Sequence, residues 1–308
     1  MNIWKDGEPQ IARQMTLADF DRMFPDETAC KLYLTLKRWP GGVQCPRCAN
    51  TKVYESTKRP FHWQCMKCGP GKRRPYRFSV TVGTVFENTN YKLLVWFKVL
   101  YLILTSKKGI SALQIHRMIG SGSYRTAWFM CHRLRAGLAD EGFRKLMGIV
   151  EVDETYIGGL NANRPLKKRF AQKGRGPSGK TAVIGAIARK GNVTCQIIED
   201  TSIPTISRFV RKAVSDKVSL VATDEGAGYR SLHREFPHDT VDHKALEYVR
   251  GEVHTNNIES FWSLLKRGII GTYHNVSTKY LPLYLNEFQF RHNNRKNPDI
   301  FGEAVRGC

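Results

Sequence analysis

At 308 residues, 41% of them hydrophobic, the chain is long enough for two or three domains with a sizeable core. Its 49 Lys and Arg against 27 Asp and Glu leave a net charge of +22, an excess that favours a polyanionic partner, nucleic acid above all. A membrane partner is disfavoured, because no basic amphipathic helix stands out and the longest apolar stretch, YKLLVWFKVLYLILT at 91–105, is broken by Lys92 and Lys98 and falls short of the ~20 residues a span needs.

The opening MNIWKDGEPQIARQ has no apolar core of a secretory signal, so a cytoplasmic setting is expected, with the eight cysteines as thiols or metal ligands. Thr16 is placed to cap a helix carrying Leu17, Phe20, Met23 and Phe24, and Pro25 and Asp26 start a second one through Cys30, Leu32, Leu34 and Trp39. Next come CPRC and CMKC, which place Cys45, Cys48, Cys65 and Cys68 as two pairs separated by sixteen residues. Each pair can form a knuckle, and two knuckles complete the tetrahedral thiolate set of one structural Zn²⁺ without an open coordination position; a disulfide or redox pair is the competing reading. Residues 52–56, 62–64 and 76–82 are the expected strands around it. Arg47, Lys52, Lys58, Arg59, Lys67, Lys72, Arg73, Arg74 and Arg77, with Tyr54, Phe61 and Trp63 among them, suit phosphate contacts.

After a buried helix at 91–105, residues 109–138 read as helix, turn, helix. Ala112, Leu113, Ile115 and Ile119 form one buried face, Gly120 to Ser123 the turn, and Ala127, Trp128, Cys131 and Leu134 the second face. Arg125, His132, Arg133 and Arg135 are then left outside, where a basic second helix can enter a major groove; an ordinary helical hairpin is the alternative.

From Gly148 onward the pattern changes to strands. In EVDETYIGG (151–159) carboxylates stand among β-formers, and the run stops at a glycine pair. Desolvating a carboxylate is costly unless it is paired or metal-bound, so Asp153 is expected to face an ion. Residues 163–180 hold seven basic residues and no acidic ones, including Lys167, Lys168, Arg169, Lys173 and Arg175; this is expected to be a loop along DNA backbone or a plain flexible insertion. Residues 181–188 and 193–199 read as two strands joined at Lys190 to Asn192, followed by a helix at 206–214. VSLVAT (218–223) is a strand that delivers Asp224 at its C-terminal end, where ligands bind in open α/β sheets. A short helix at 229–236 and a strand at 240–243 follow. In the last long helix Ile258, Phe261, Trp262, Leu265 and Ile269 recur at helical spacing, and Asn256, Glu259, Ser263 and Lys266 share the polar face. Leu281, Leu285 and Phe288 suggest a closing helix.

Asp153, Asp224 and Glu259, with 34 residues between the last two and Lys266 seven after the glutamate, set in EVDETYIGG, TDEGAGYRSL and VHTNNIESFWSLLKRGIIGTYHNVS, resemble the triad of the DDE transposases of bacterial insertion sequences. The likeness is to the branch that carries a zinc ribbon ahead of the catalytic domain, and it covers about residues 15–295. It implies an α/β, RNase H-like catalytic domain with a mixed five-stranded sheet and flanking helices, preceded by the zinc ribbon and a helix-turn-helix region. The expected divisions are an N-terminal helical segment at 1–40, the ribbon at 41–85, the helix-turn-helix region at 86–145 and the catalytic domain at 146–308 with its basic loop at 163–180.

The resemblance further implies two Mg²⁺ (or Mn²⁺) ions per site, bridged by Asp153 and each held by Asp224 or Glu259, with Lys266 on a nearby phosphate. Water would attack at the transposon end to free a 3′-OH that then attacks target DNA. The implied partners are double-stranded DNA, as inverted-repeat ends and target, and further copies of the chain in a homo-oligomer on DNA at the bacterial nucleoid. Some relatives carry asparagine at the third position, which leaves Asn256 and Asn257 as alternatives to Glu259, and Glu151, Glu154 and Glu225 stand close enough to serve as ligands or ion-pair partners. His243 and His254 are at most outer partners of the site. The competing functions are a zinc-ribbon, helix-turn-helix regulator whose RNase H-like domain is inactive, and an RNA or junction nuclease of the same fold.

Overall fold

The computed structural model describes residues 15–69, 74–140, 142–159, 179–241 and 254–308. Its contacts divide the chain into two units, residues 1–139 together with 294–308, and residues 140–293.

In the first unit Thr16 caps α1 (Leu17–Met23) in a reciprocal box with Asp19, and Asp26 caps α2 (Glu27–Arg38) by accepting from the Ala29 amide at 2.8 Å. The ribbon that follows is a three-stranded antiparallel sheet of β1 (Val53–Glu55), β2 (His62–Cys65) and β3 (Tyr76–Ser79). Leu93, Trp96, Phe97, Leu100 and Ile103 bury one helix, α3 (Leu93–Thr105). Next, α4 (Ala112–Ile119) and α5 (Tyr124–Gly137) are joined by a tight turn that begins at Gly120 with φ 61°, a left-handed conformation that glycine adopts without a Cβ penalty.

The last helix, α9 (Ile300–Gly307), groups with this unit. Phe301 lies among the rings of Phe20, Phe24, Tyr33 and Phe97, with centroids 5.4–6.1 Å away, and Asp299 both caps α9 and pairs with Lys37 of α2. An aromatic side chain buried in such a cluster is a large apolar contribution, which is why the tail packs there.

The second unit is a five-stranded sheet in the order β6-β5-β4-β7-β8, made of β4 (Ile149–Ile157), β5 (Thr181–Ala188), β6 (Val193–Ile198), β7 (Leu220–Asp224) and β8 (His238–Val241). The first three strands form an antiparallel meander, and β7 and β8 add in parallel beside β4. This mixed order is the RNase H-like arrangement. One face carries Val150, Val152, Ile184 and Ala186 against Ile206, Phe209 and Val210 of α6 (Ile203–Ala213). The other carries Val183 and Ile187 against Ile258, Trp262 and Leu265 of α7 (Asn256–Gly268), and Leu285 and Phe288 of α8 (Leu281–Asn293).

Details differ from the sequence expectation at two places. Residues 229–236 make two 3₁₀ turns, Ala227–Tyr229 and Leu232–Arg234, in place of a short helix, because Tyr229 and Leu232 are both drawn into the α6-side core. The fifth strand lies two residues earlier, at His238–Val241, where it pairs with the whole length of Val221 to Asp224; His243 lies outside the described residues.

A single glycine sets how closely α7 approaches the sheet. Gly185 pairs with Asp153 across β5 and β4, and a Cβ there would stand 2.6 Å from the Trp262 ring. Gly185→Ala is therefore expected to destabilise the protein by about 1–3 kcal/mol through overpacking, read as a lowered melting temperature.

Candidate active site

Alternation along β4 sorts its carboxylates by face. Asp153 lies opposite Gly185, whose open face meets Trp262 and Ile258 of α7, so Asp153 points to the α7 side. Strand β7 pairs in parallel with β4 through Glu151 and Ala222. Continuing that register and alternation by two residues brings Asp153 and Asp224 to the same face. Glu259 lies in the first turn of α7.

The electrostatics agree with this grouping. Burial first, then the charges of Glu154, Asp224 and Glu259, push the Asp153 carboxyl up to about 7, against the lowering effect of a backbone hydrogen bond. Asp224 accepts a hydrogen bond from the Gly226 amide at 2.9 Å, and Glu259 from the Thr255 hydroxyl at 2.7 Å. A carboxyl on the middle of β4 that feels the charges of two further carboxylates belongs to a donor set of hard oxygens, the kind Mg²⁺ and Mn²⁺ take. The three are spread more widely than a shared sphere around one ion: among the described residues only the four ribbon cysteines have ligand atoms all within 4.8 Å of one another. A two-ion site tolerates this spread, because its outer carboxylates serve different ions.

The neighbouring acids are occupied otherwise. Glu154 points to the opposite face, where it accepts the Tyr229 hydroxyl, and Glu225 is exposed. Glu151 is fully buried and accepts from Arg189 Nε at 3.0 Å, the Asn257 amide at 2.8 Å, Asn257 Nδ2 at 2.7 Å and the Ile258 amide at 3.1 Å. Its charge is matched by Arg189, and His254 Nδ1 stands 3.2 Å away; breaking such a buried pair costs about 3–5 kcal/mol. The Asn257 side chain is thus spent on Glu151, while Asn256 is exposed at the first helical position. Lys266 is exposed two turns beyond Glu259.

Thr255, Arg189 and Gly185 are the site residues that sequence reasoning missed. A glycine inside an apolar strand signals close approach of another element, and Gly185 fits that rule. Thr255 precedes Glu259 by four residues, one more than a capping box requires, so its hydroxyl reaches the carboxylate in place of the backbone.

In the ribbon, Cys45 and Cys68 sulfurs stand 3.3 Å apart and Cys48 and Cys65 sulfurs 3.7 Å. Thiolates at the corners of a tetrahedron with Zn–S ~2.3 Å lie roughly 3.8 Å from one another, and no disulfide joins them. The set fits one structural Zn²⁺.

The basic residues divide. Arg125 is exposed at the start of α5 beside Tyr124 and Phe129, both exposed as well. Arg135 is 1% exposed and His132 6%, the latter stacked on Trp128. Arg133 donates to the Glu87 carbonyl at 2.8 Å and sits over the Trp96 ring. The expectation that Arg133, His132 and Arg135 all face outward is corrected here, because α5 packs against both α3 and α4 and so buries a wider arc than its apolar residues mark out. Lys167, Lys168, Arg169, Lys173 and Arg175 lie outside the described residues.

An RNase H-like sheet with acids in the middle of β4 and at the end of β7, on a chain that also carries a four-cysteine ribbon, is the build of a zinc-ribbon protein of the transposase type. Residues 145–293 match the model of the ISXO2-like transposase domain, and residues 25–70 that of the transposase zinc-ribbon domain. The chain is 29% identical over 283 residues to a protein of Halobacterium salinarum described as an uncharacterized protein in transposable element ISH50, an overlap of 88% of this chain and 92% of that one. By these matches the chain carries a transposase zinc-ribbon domain ahead of an insertion-sequence transposase domain. No described helix is long and apolar enough to cross a membrane.

Proposed function

We propose that the protein binds the inverted-repeat ends of its element as a homo-oligomer and carries out metal-dependent strand cleavage followed by strand transfer into target DNA. The observation that supports this reading is that the charges of Asp224, at the C-terminal end of β7, and of Glu259, in the first turn of α7, both reach the Asp153 carboxyl in the middle of β4. Asp153, Asp224 and Glu259 would hold two Mg²⁺ (or Mn²⁺) ions, with Asp153 as the shared ligand and Asp224 and Glu259 each completing one position. The ions, when bound, activate the attacking oxygen and stabilise the leaving one at phosphorus. Lys266 offers its ammonium to a phosphate beside the reaction, and the Gly226 amide and Thr255 hydroxyl hold the outer carboxylates in place.

DNA contact is assigned to Arg125 at the N-terminus of α5 and to the basic segment 163–180, with the ribbon's exposed basic residues as further phosphate contacts. Arg125→Ala is expected to weaken binding to end DNA and to lower the salt slope by about 1. Arg135→Ala should leave that slope unchanged and lower the melting temperature instead, as loss of a buried side chain does.

The test of the function is incubation of a supercoiled plasmid bearing the element's ends with the zinc-loaded protein, with and without Mg²⁺. Magnesium-dependent nicks at the ends support the reading. End-specific binding without cleavage under any divalent ion would instead mark a DNA-binding regulator.

A further inference from the structure

The N-terminus of α7 is capped by a residue from another element. Its own N-cap residue, Thr255, makes no side-chain bond to the helix amides. The amides of Asn257 and Ile258 are taken by Glu151 of β4, at 2.8 and 3.1 Å, two residues before Asp153 on the same face. Thr255, 1% exposed, uses its hydroxyl on the Glu259 carboxylate at 2.7 Å. A carboxylate on a helix N-terminus is favoured by both free amides and the helix dipole, and a fully buried one bonded on both oxygens is a fixed peg.

We propose that Glu151 and Thr255 are positioning residues for the divalent-ion site: Glu151 clamps the start of α7 to β4, and Thr255 orients Glu259 toward Asp153. This rests on the reading of Asp153, Asp224 and Glu259 as ion ligands. Neither positioning group touches the ions. Glutamine in place of Glu151 keeps one accepting oxygen, but turns an amino group toward the donors Asn257 Nδ2 and Arg189 Nε or toward the helix amides, so the clamp loosens while the side chain's size is kept.

The experiment titrates Mn²⁺ into the full-length, zinc-loaded chain and follows the free-ion paramagnetic resonance signal, with end cleavage measured alongside. Glu151→Gln and Thr255→Val are each expected to weaken Mn²⁺ binding at least ~10-fold, the range seen when outer partners of metal ligands are removed, and Thr255→Ser to stay near wild type. The metal concentration for half-maximal cleavage should rise in step while KM for DNA holds. Because both residues act through Glu259, neither change should add to the effect of Glu259→Gln on Mn²⁺ affinity. A folded Glu151→Gln protein with wild-type affinity, or with an effect that multiplies that of Glu259→Gln, overturns the proposal. Should Glu151→Gln fail to fold, the Thr255 pair decides: wild-type binding in Thr255→Val overturns it, and a loss restored in Thr255→Ser supports it. Failure of the underlying site is recognised separately, since Asp153→Asn would then bind Mn²⁺ as wild type does, and the proposal falls with it.

Discussion

Asp153→Asn is expected to reduce end cleavage roughly a thousandfold and, in the same protein, to raise the melting temperature when magnesium is withheld. The first effect follows from loss of the shared ligand, since metal stabilisation of several kcal/mol converts at about 1.4 kcal/mol per factor of ten. The second follows from the charge cluster. In the folded, ion-free protein the Asp153 carboxyl titrates at about 7, raised by burial and by Glu154, Asp224 and Glu259, whereas in the unfolded chain it titrates near ~3.9. Between those values the folded state holds the extra proton, so stability falls as pH rises through this window and is lowest above about 7. The gain from asparagine is accordingly largest near pH 8 and fades toward pH 5. Differential scanning fluorimetry at the two pH values, in magnesium-free buffer with stoichiometric zinc, measures it. A variant that is inactive and no more stable at pH 8 would show that the acids do not repel one another. Activity and stability pull in opposite directions here, as expected where like charges are gathered for an ion.

Cys65→Ser is expected to lose the zinc and, with it, the ribbon sheet. Binding of structural zinc contributes on the order of 10–16 kcal/mol to small zinc folds, and the described ribbon offers little to replace it: Trp63, Cys65 and Phe78 are its buried strand residues, in strands of three or four. Metal analysis of the purified variant should find zinc below one equivalent, and limited proteolysis should cut between residues 45 and 80 while the strands at 149–157 and 181–198 stay protected. Cleavage of the ribbon at wild-type rates together with lost zinc would show that the four thiolates do not hold the fold. Binding to end DNA is expected to drop in parallel.

Much of this arrangement is legible in the chain itself. The alternation of Val150, Glu151, Val152 and Asp153 marks a strand with acids on one face, and the apolar run closing at Asp224 marks a second strand that ends on a carboxylate. Helical spacing of Ile258, Phe261, Trp262 and Leu265 predicts which side of α7 is buried, and the structure buries those four. What periodicity leaves out is partnership between distant segments. Glu151 reads equally well as a ligand, an ion-pair member or a cap until Asn257 and Ile258 are seen to meet it. Arg135 reads as exposed because its charge outweighs its place on a helix with two packed sides. The helix at 300–307 escapes notice because Asn297, Pro298 and Gly302 interrupt its apolar pattern, and its burial depends on rings supplied by residues 20–33 and 97.

That return of residues 294–308 makes the sheet-bearing unit an insertion within the helical one, joined to it by two peptide crossings near positions 139 and 294. Shortening the chain after Asn293 would leave every strand and all three acids in place, yet withdraw Phe301, Ala304 and Val305 from the other unit's interior. The part of the molecule that suffers from a trimmed carboxyl end is thus the one built by its opening residues.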